Sequence, residues 1–398
     1  MLRGMPQPSR AGNDSLAGRA CHFGLAMLMN VGGAPVSASP DRKQLLGASL
    51  AELEAIAAEH GEPRFRARQM YEAMYQRRVA TFGGMTSLPK ALREGLDADF
   101  SLCRPSIDRV EVSRDGTRKY RFLGSDQAAF EAVYIPEVAA NSRTNTLCIS
   151  SQTGCAVGCK FCFTASLRRA RNLSAAELIG QVLAVDADVV GLLGDEARVS
   201  NIVYMGMGEP LLNYDEVVRS AHRLLEPDGL DFASRRVTIS TSGIVPRIHE
   251  LGRVLETQLA ISLNATTDEV RTSIMPINKK WPLAELIGAL RDYPLLARRR
   301  ITIEYVLLRG INDSIEDARR LPRLLAGIPV KVNLLPLNPH DRTPFLPPHP
   351  EQVDRFQAEL RKAGINALKR TPRGQDIAAA CGRLGESAVA EAPQSPGV

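Results

Sequence analysis

The residues best suited to chemistry lie in one run of nine, Gly154-Cys155-Ala156-Val157-Gly158-Cys159-Lys160-Phe161-Cys162. Its three cysteines follow a C-x3-C-x-x-C spacing. Thiolates are soft donors that hold iron–sulfur clusters or zinc. A structural zinc ion or a closed cluster takes four protein ligands. Three cysteines therefore point to a [4Fe–4S] cube with one iron left open to a substrate, and a zinc knuckle completed by a distant ligand is the alternative. Cys21, Cys103, Cys148 and Cys381 bring the total to an odd seven. That count, concentrated in one motif, does not describe a disulfide framework and suits a reducing compartment. The expected location is the cytoplasm.

A chain of 398 residues exceeds a single small core, so two domains with tails are expected. The net charge of +6 is compatible with a nucleic-acid partner without identifying one. Basic clusters recur at Arg168, Arg169 and Arg171, at Arg235-Arg236, at Lys279-Lys280 and at Arg298–Arg300. Each alone is consistent with a solvated face; together they favour a polyanionic substrate. No apolar run approaches the roughly 20 residues of a membrane span.

The elements that must position the cysteines can be read along the chain. Residues 1–43 are rich in Gly, Pro, Ser and Ala without periodicity, and read as disordered. Within them Arg19 and the apolar stretch Cys21–Val31 loosely imitate a signal peptide. Export is not expected, and initiation at Met27 or Met29 is a hypothesis that N-terminal sequencing tests. Residues 44–103 read as a helical module, with Leu50, Leu53 and Ile56 on one buried face. Further helices begin near Phe65 and near Leu88, the latter with Ser87 as cap. Residues 104–140 read as a small β connector, with a hairpin turn at Asp115-Gly116 and a third strand Phe130–Ile135. From 141 to 385 strand alternates with helix. The strands expected are Thr146–Ser151, Asn201–Met205, Arg236–Thr241, Leu259–Leu263, Ile301–Leu308 and Val330–Leu335. Ser174–Glu177 is a capping box that opens one helix, and Asp313 or Ser314 caps another. Six βα units imply parallel strands with right-handed crossovers. The fold class is thus α/β, a partial (β/α)6 barrel open on one side. Its reactive residues belong at the C-terminal strand ends, where Gly206–Pro210, Ser240–Gly243, Ser262–Asn264 and Asn338-Pro339 fall. Residues 386–398 read as a disordered tail.

The cysteine spacing, with an aromatic before the last cysteine, resembles the signature of radical S-adenosylmethionine (SAM) enzymes. The longer stretches Cys148–Cys155, Met205–Asn213, Arg235–Gly243, Ile274–Lys280, Ile303–Leu307 and Arg370–Gly382 resemble the RlmN/Cfr family, radical SAM enzymes that methylate an adenine carbon in RNA. The resemblance covers roughly residues 45–385. It implies that Cys155, Cys159 and Cys162 hold the cluster, whose open iron chelates SAM. It implies SAM contacts at Gly208, Glu209, Ser240, Ser262, Leu263, Asn264 and Asn338. Cys381 matches a cysteine that is itself methylated, Cys148 its resolving partner through a transient disulfide, and Glu131 a proton acceptor. Two SAM molecules are used per turnover. The implied substrates are adenosine 2503 of 23S rRNA, at C2, and adenosine 37 of some tRNAs. Methylation at C8 of the same rRNA adenine, or a non-catalytic RNA-binding protein with a structural metal, are the rivals. The electron donor expected is a flavodoxin or ferredoxin, and a monomer is the default. Two positions depart from the pattern: Asn264, where histidine is common, and a short loop Thr164–Leu167 after the third cysteine.

Overall fold

The computed structural model describes residues 42–137, 144–167 and 170–385. Cys21, the signal-like stretch, the alternative starts, the pair Arg168-Arg169 and the C-terminal tail lie outside the described residues. Arg42 and Lys43, read as the end of a disordered extension, belong to the fold: β1 (Lys43–Gln44) pairs in parallel with β2 (Phe100–Ser101).

Three helices follow β1: α1 (Leu50–Glu59), α2 (Phe65–Tyr75) and α3 (Lys90–Asp99). Ser49 and Glu52 form a reciprocal capping box on α1. Leu53 and Ala57 are its buried residues. Ser87 does not cap α3. The N-cap position is Pro89, which makes no side-chain cap bond, and the Ser87 hydroxyl accepts from Arg77 instead, at 3.0 Å. This module is docked by polar side chains: Tyr71 donates to Glu226, Arg219 pairs with Glu52, and Arg78 with buried Asp186.

The next strands are β3 (Ser106–Val112), β4 (Arg118–Leu123) and β5 (Ala129–Ile135), an antiparallel meander turned at Asp115-Gly116. It is continuous with everything that follows. β5 pairs with β6 (Thr146–Cys148), and β6 starts a parallel series: β7 (Asn201–Tyr204), β8 (Val237–Thr241), β9 (Gln258–Ser262), β10 (Ile301–Leu307), β11 (Val330–Pro336) and β12 (Asn366–Lys369). One ten-stranded sheet results, in the order β12 to β3 without a crossover. Each parallel step returns through helix: α4 (Ala175–Leu193), α5 (Tyr214–Leu225), α6 (Val245–Val254), α7 (Asp268–Ile274) with α8 (Leu283–Arg291), α9 (Ile315–Leu324) and α10 (Pro350–Lys362). The sequence reading contains no counterpart of β12. Only Ala367 of its four residues is buried, too short a pattern to announce a strand. It exists because β11 offers it an edge.

Sequential order with no pairing between β12 and β3 is an open, partial barrel. The chain after β12 crosses that opening. Residues 373–377 bond to the β3–β4 turn at the far edge, so the two edges of the sheet face one another across this segment. Side chains such as Leu147, Ile202, Ile239, Ile261, Ile303 and Val332, all essentially inaccessible, fill the core. Among the described residues no helix is long and apolar enough to cross a membrane.

Candidate active site

The rim at the C-terminal strand ends surrounds an open-mouthed cavity of about 210 Å³. Its lining includes Cys155, Cys159 and Cys162, and also Cys148 and Cys381.

The cysteine loop is built from β6 outward. α4 grips its root: the Gln181 side chain accepts from Ser150 N at 2.9 Å and donates to Ser150 O at 3.0 Å. Capping by Ser174 and Glu177, as the sequence indicates, fixes where α4 starts. Lys160 N donates to Ile274 O and His340 bonds Phe161 O, at 3.0 and 3.2 Å, so the loop is tied to the far wall. The short Phe163–Ser166 segment after Cys162 is a single 3-10 turn. All three thiols are pushed up by burial, Cys155 to about 12, with neighbouring cysteines adding to the effect at Cys155 and Cys159. They need a bound cation to be thiolates. Among the described residues no three His, Cys, Asp or Glu groups close on a single ion.

Opposite them is the loop Gly206-Met207-Gly208-Glu209. A Cβ on Gly208 (φ +98°) would lie 2.6 Å from Gln152 Cβ, so the loop packs directly on the segment after β6. Glu209 is buried. Its carboxylate accepts from Leu211 N at 3.0 Å and Ser242 N at 2.7 Å, while its own N–H donates to Gln152. Burial outweighs those bonds and raises its pKa. Ser240, Ser262 and Asn338 also line the cavity. The Ser242 hydroxyl is buried there without a hydrogen-bond partner. Three soft sulfur donors, a buried carboxylate and an orphaned hydroxyl in one cavity fit an iron–sulfur cluster beside a zwitterionic ligand.

Leu263 and Asn264, which follow cavity-lining Ser262, turn their side chains inward. Leu263 is in the core at 0% exposure, and Asn264 is buried in a left-handed turn (φ +58°). Asn264 Oδ1 accepts from Val306 N at 2.7 Å, and its Nδ2 faces Met275 Sδ. Its side chain holds β9 to β10; neither residue lines the cavity. Glu131 shares a sheet face with Val133 and Ile135, which do line it. One carboxylate oxygen accepts from Gly385 N at 2.8 Å, and the other is buried without a hydrogen-bond partner. Burial raises its pKa, partly offset by Lys119.

Cys148, at the end of β6, is buried, and Cys381 is exposed. Burial raises the Cys148 thiol, and the nearby Cys381 raises it further. Surrounding protein and Glu304 push Cys381 up to about 11. All six described cysteines, these two among them, are free thiols.

Two contributors were not singled out in the sequence. Glu304, inside β10, lines the cavity and accepts from Asn333 at 2.8 Å. Buried Arg271 donates to the carbonyls of Ser242, Ser262 and Leu263 and so joins the loops after β8 and β9. A charged residue set between the apolar positions Val270 and Ile274 was the available signal for Arg271.

This open parallel barrel with three cysteines on its rim defines a radical SAM enzyme. Residues 149–321 match the radical SAM superfamily, and residues 43–102 match the ribosomal RNA large subunit methyltransferase N-terminal domain. A dual-specificity RNA methyltransferase RlmN from Geobacter sulfurreducens is 49% identical over 85% of this chain and 91% of its own. The RlmN of Syntrophotalea carbinolica is 47% identical over 86% and 90%. The crystal structure of a radical SAM methyltransferase from Sphaerobacter thermophilus superposes with a TM-score of 0.80 at 42% identity, covering 86% of this chain and 99% of that one. The chain belongs to the RlmN family of radical SAM RNA methyltransferases. That membership brings a [4Fe–4S] cluster and SAM as its cofactors, and RNA as its substrate.

Proposed function

We propose that this enzyme methylates C2 of adenine in 23S rRNA, at adenosine 2503, and in tRNA, at adenosine 37, with Cys381 as the methyl carrier. The observation that supports this is the shared cavity, in which Cys148 and Cys381 join the three cysteines of the motif. On this reading Cys155, Cys159 and Cys162 are the protein ligands of the cluster. Glu209, Ser240 and Asn338 face SAM, the run Ser262, Leu263 and Asn264 meets it mainly through backbone, and Gly208 gives the backbone room to approach. When bound, the cluster and SAM supply one-electron chemistry, a carbon radical able to take a hydrogen atom from an S-methyl group.

An adenine C2 is not nucleophilic, so direct attack on a methyl cation donor is unfavourable. The chain's own groups offer a route around this. Cys381, as thiolate, accepts a methyl group at sulfur from a first SAM. After a second SAM is consumed in removing one hydrogen atom from the S-methyl group, the carbon on Cys381 sulfur would bond to the ring, joining enzyme and RNA, and the adduct's unpaired electron would pass back to the cluster. Glu131 takes the ring proton; its raised pKa suits it to accept one. The Cys148 thiolate attacks Cys381 sulfur, the S–C bond breaks with its electron pair going to the nucleic-acid carbon, that carbon takes up a proton to become the methyl group, and a disulfide remains for an external thiol to reduce. A flavodoxin- or ferredoxin-type donor supplies the electrons, and the protein works as a cytoplasmic monomer.

The test is an anaerobic reaction of reconstituted enzyme, SAM and reductant with protein-free 23S rRNA, and in parallel with tRNA, read by mass spectrometry of the nucleosides. 2-Methyladenosine in both RNAs is the expected result. 8-Methyladenosine overturns the assigned carbon, and product in only one RNA overturns the dual substrate.

A further inference from the structure

The β3–β4 hairpin lies outside the motifs that hold the cofactors, yet its turn makes a dense set of contacts with the segment carrying Cys381. Asp115 Oδ2 accepts from Gly374 N at 3.1 Å and forms an ion pair with Arg373 Nε at 3.0 Å. Arg373 Nη2 donates back to Asp115 O at 2.9 Å. Asp376 reaches the other way: its Oδ1 accepts from Ser113 Oγ at 2.5 Å and its Oδ2 from Arg114 N at 3.2 Å. Buried Lys119, on β4, donates to Ile377 O at 2.6 Å while paired with Glu111.

The segment so held is a small closed loop. Gly374 (φ +62°) and Ala378 (φ +51°) are both left-handed, and Ala379 N donates to Gly374 O at 2.9 Å. A Cβ on Gly374 would lie 2.7 Å from Ala379 Cβ and 3.0 Å from Thr117 Cγ2 on the hairpin. Cys381 follows two residues after that closure. Beyond it the anchors belong to the cofactor side: Asn338 donates to Cys381 O at 3.1 Å and Phe163 N to Gly382 O at 2.7 Å. Cys381 is therefore suspended between two supports, one on the cluster loop and its neighbours and one on the hairpin turn.

We propose that the β3–β4 turn is a positioning clamp for Cys381, with Asp115 and the Ser113–Asp376 pair as its positioning residues. This rests on the reading of Cys381 as the methyl carrier. A cysteine that must first meet one SAM methyl group and then reach an adenine ring needs a fixed location, and the chain following an edge strand has no sheet partner to provide it. The clamp provides it with an ionised carboxylate: against the effect of burial, hydrogen bonds from Thr117, Gly374 and Ser113 hold Asp115 down at about 2, so it keeps its charge throughout the neutral range.

The experiment uses full-length reconstituted enzyme carrying Asp115→Asn, Ser113→Ala, Asp376→Asn, or the last two together. Iron, sulfide and SAM affinity are expected to match the parent, since none of these residues lines the cavity. Methylated RNA formed per minute falls by roughly tenfold to a hundredfold, the scale of a misplaced reacting group. In cluster-free protein, N-ethylmaleimide labels Cys381 several-fold faster than in the parent, relative to Cys103 in the same sample. The Ser113→Ala, Asp376→Asn double variant loses less than the two singles combined, because they share the Ser113–Asp376 bond while Ser113 also accepts from Asp115 N and Asp376 from Arg114 N. Unchanged Cys381 labelling and unchanged product formation in all variants overturn the clamp. Ser113→Ala deletes a single oxygen and keeps the test decisive if Asp115→Asn folds poorly. A Cys381→Ala control that still methylates RNA overturns the carrier reading instead.

Discussion

Cys148 and Cys381 line the same cavity although one ends the first parallel strand and the other follows the last. The influence runs one way: burial and then Cys381 raise the Cys148 thiol, while desolvation and then Glu304 raise Cys381. One thiol is buried and the other exposed, and the proposed roles of carrier and resolving cysteine can be tested separately.

Cys148→Ala is expected to stop turnover after one event and leave a covalent protein–RNA adduct. Denaturing electrophoresis with labelled RNA reads this directly. Cys381→Ala gives neither adduct nor product while keeping its iron, whereas Cys159→Ala loses the iron. Free RNA carrying full methylation from Cys148→Ala removes the resolving role.

With its pKa raised to about 11, Cys381 is a thiol at neutral pH, and the reactive thiolate increases as pH rises toward that value. In cluster-free protein, iodoacetamide alkylation of Cys381 should accelerate by about tenfold per pH unit between pH 7 and 9.5, since only the thiolate attacks. Glu304→Gln removes a like charge, lowers this pKa, and makes alkylation faster at any fixed pH in that window. A flat profile in the parent contradicts the assignment of the shift to Cys381.

Asn264 is expected to matter for stability more than for SAM. Asn264→Ala leaves Val306 N–H buried without its acceptor and puts a non-glycine side chain with no compensating bond at φ +58°. The cost is about 1–3 kcal/mol, visible in denaturant unfolding. SAM affinity by equilibrium dialysis should change less than about twofold, well under the tenfold that 1.4 kcal/mol represents.

Gly208→Ala should fail in both respects. Its new methyl group meets Gln152 Cβ at 2.6 Å on a backbone at φ +98°. Strain of this kind costs on the order of 1–3 kcal/mol, and relieving it pushes the Glu209 loop out of the cavity. A lower melting temperature together with weakened SAM binding is the expected pair of results.

The sequence by itself determined the chemistry-bearing motif, the α/β class and most element positions. The Ser174–Glu177 box and the Asp115-Gly116 turn are local signals, and local geometry obeys them. Where signals were short or competed with tertiary partners, sequence fell short. β12 has one buried residue and needed an edge to pair with, and Ser87 lost its expected capping role when Arg77 took its hydroxyl. Asn264 reads as a ligand-facing polar residue, but the fold turns its side chain to a backbone N–H across β9 and β10. Only the tertiary structure decided that one sheet runs from β3 to β12, and that the segment after β12 returns to the first hairpin. Contacts between residues 113–117 and 373–377 join groups with no local relation, and no periodicity or spacing encodes such a meeting. It arises because a curved parallel sheet with its edges brought together leaves an opening that the last segment of chain must cross.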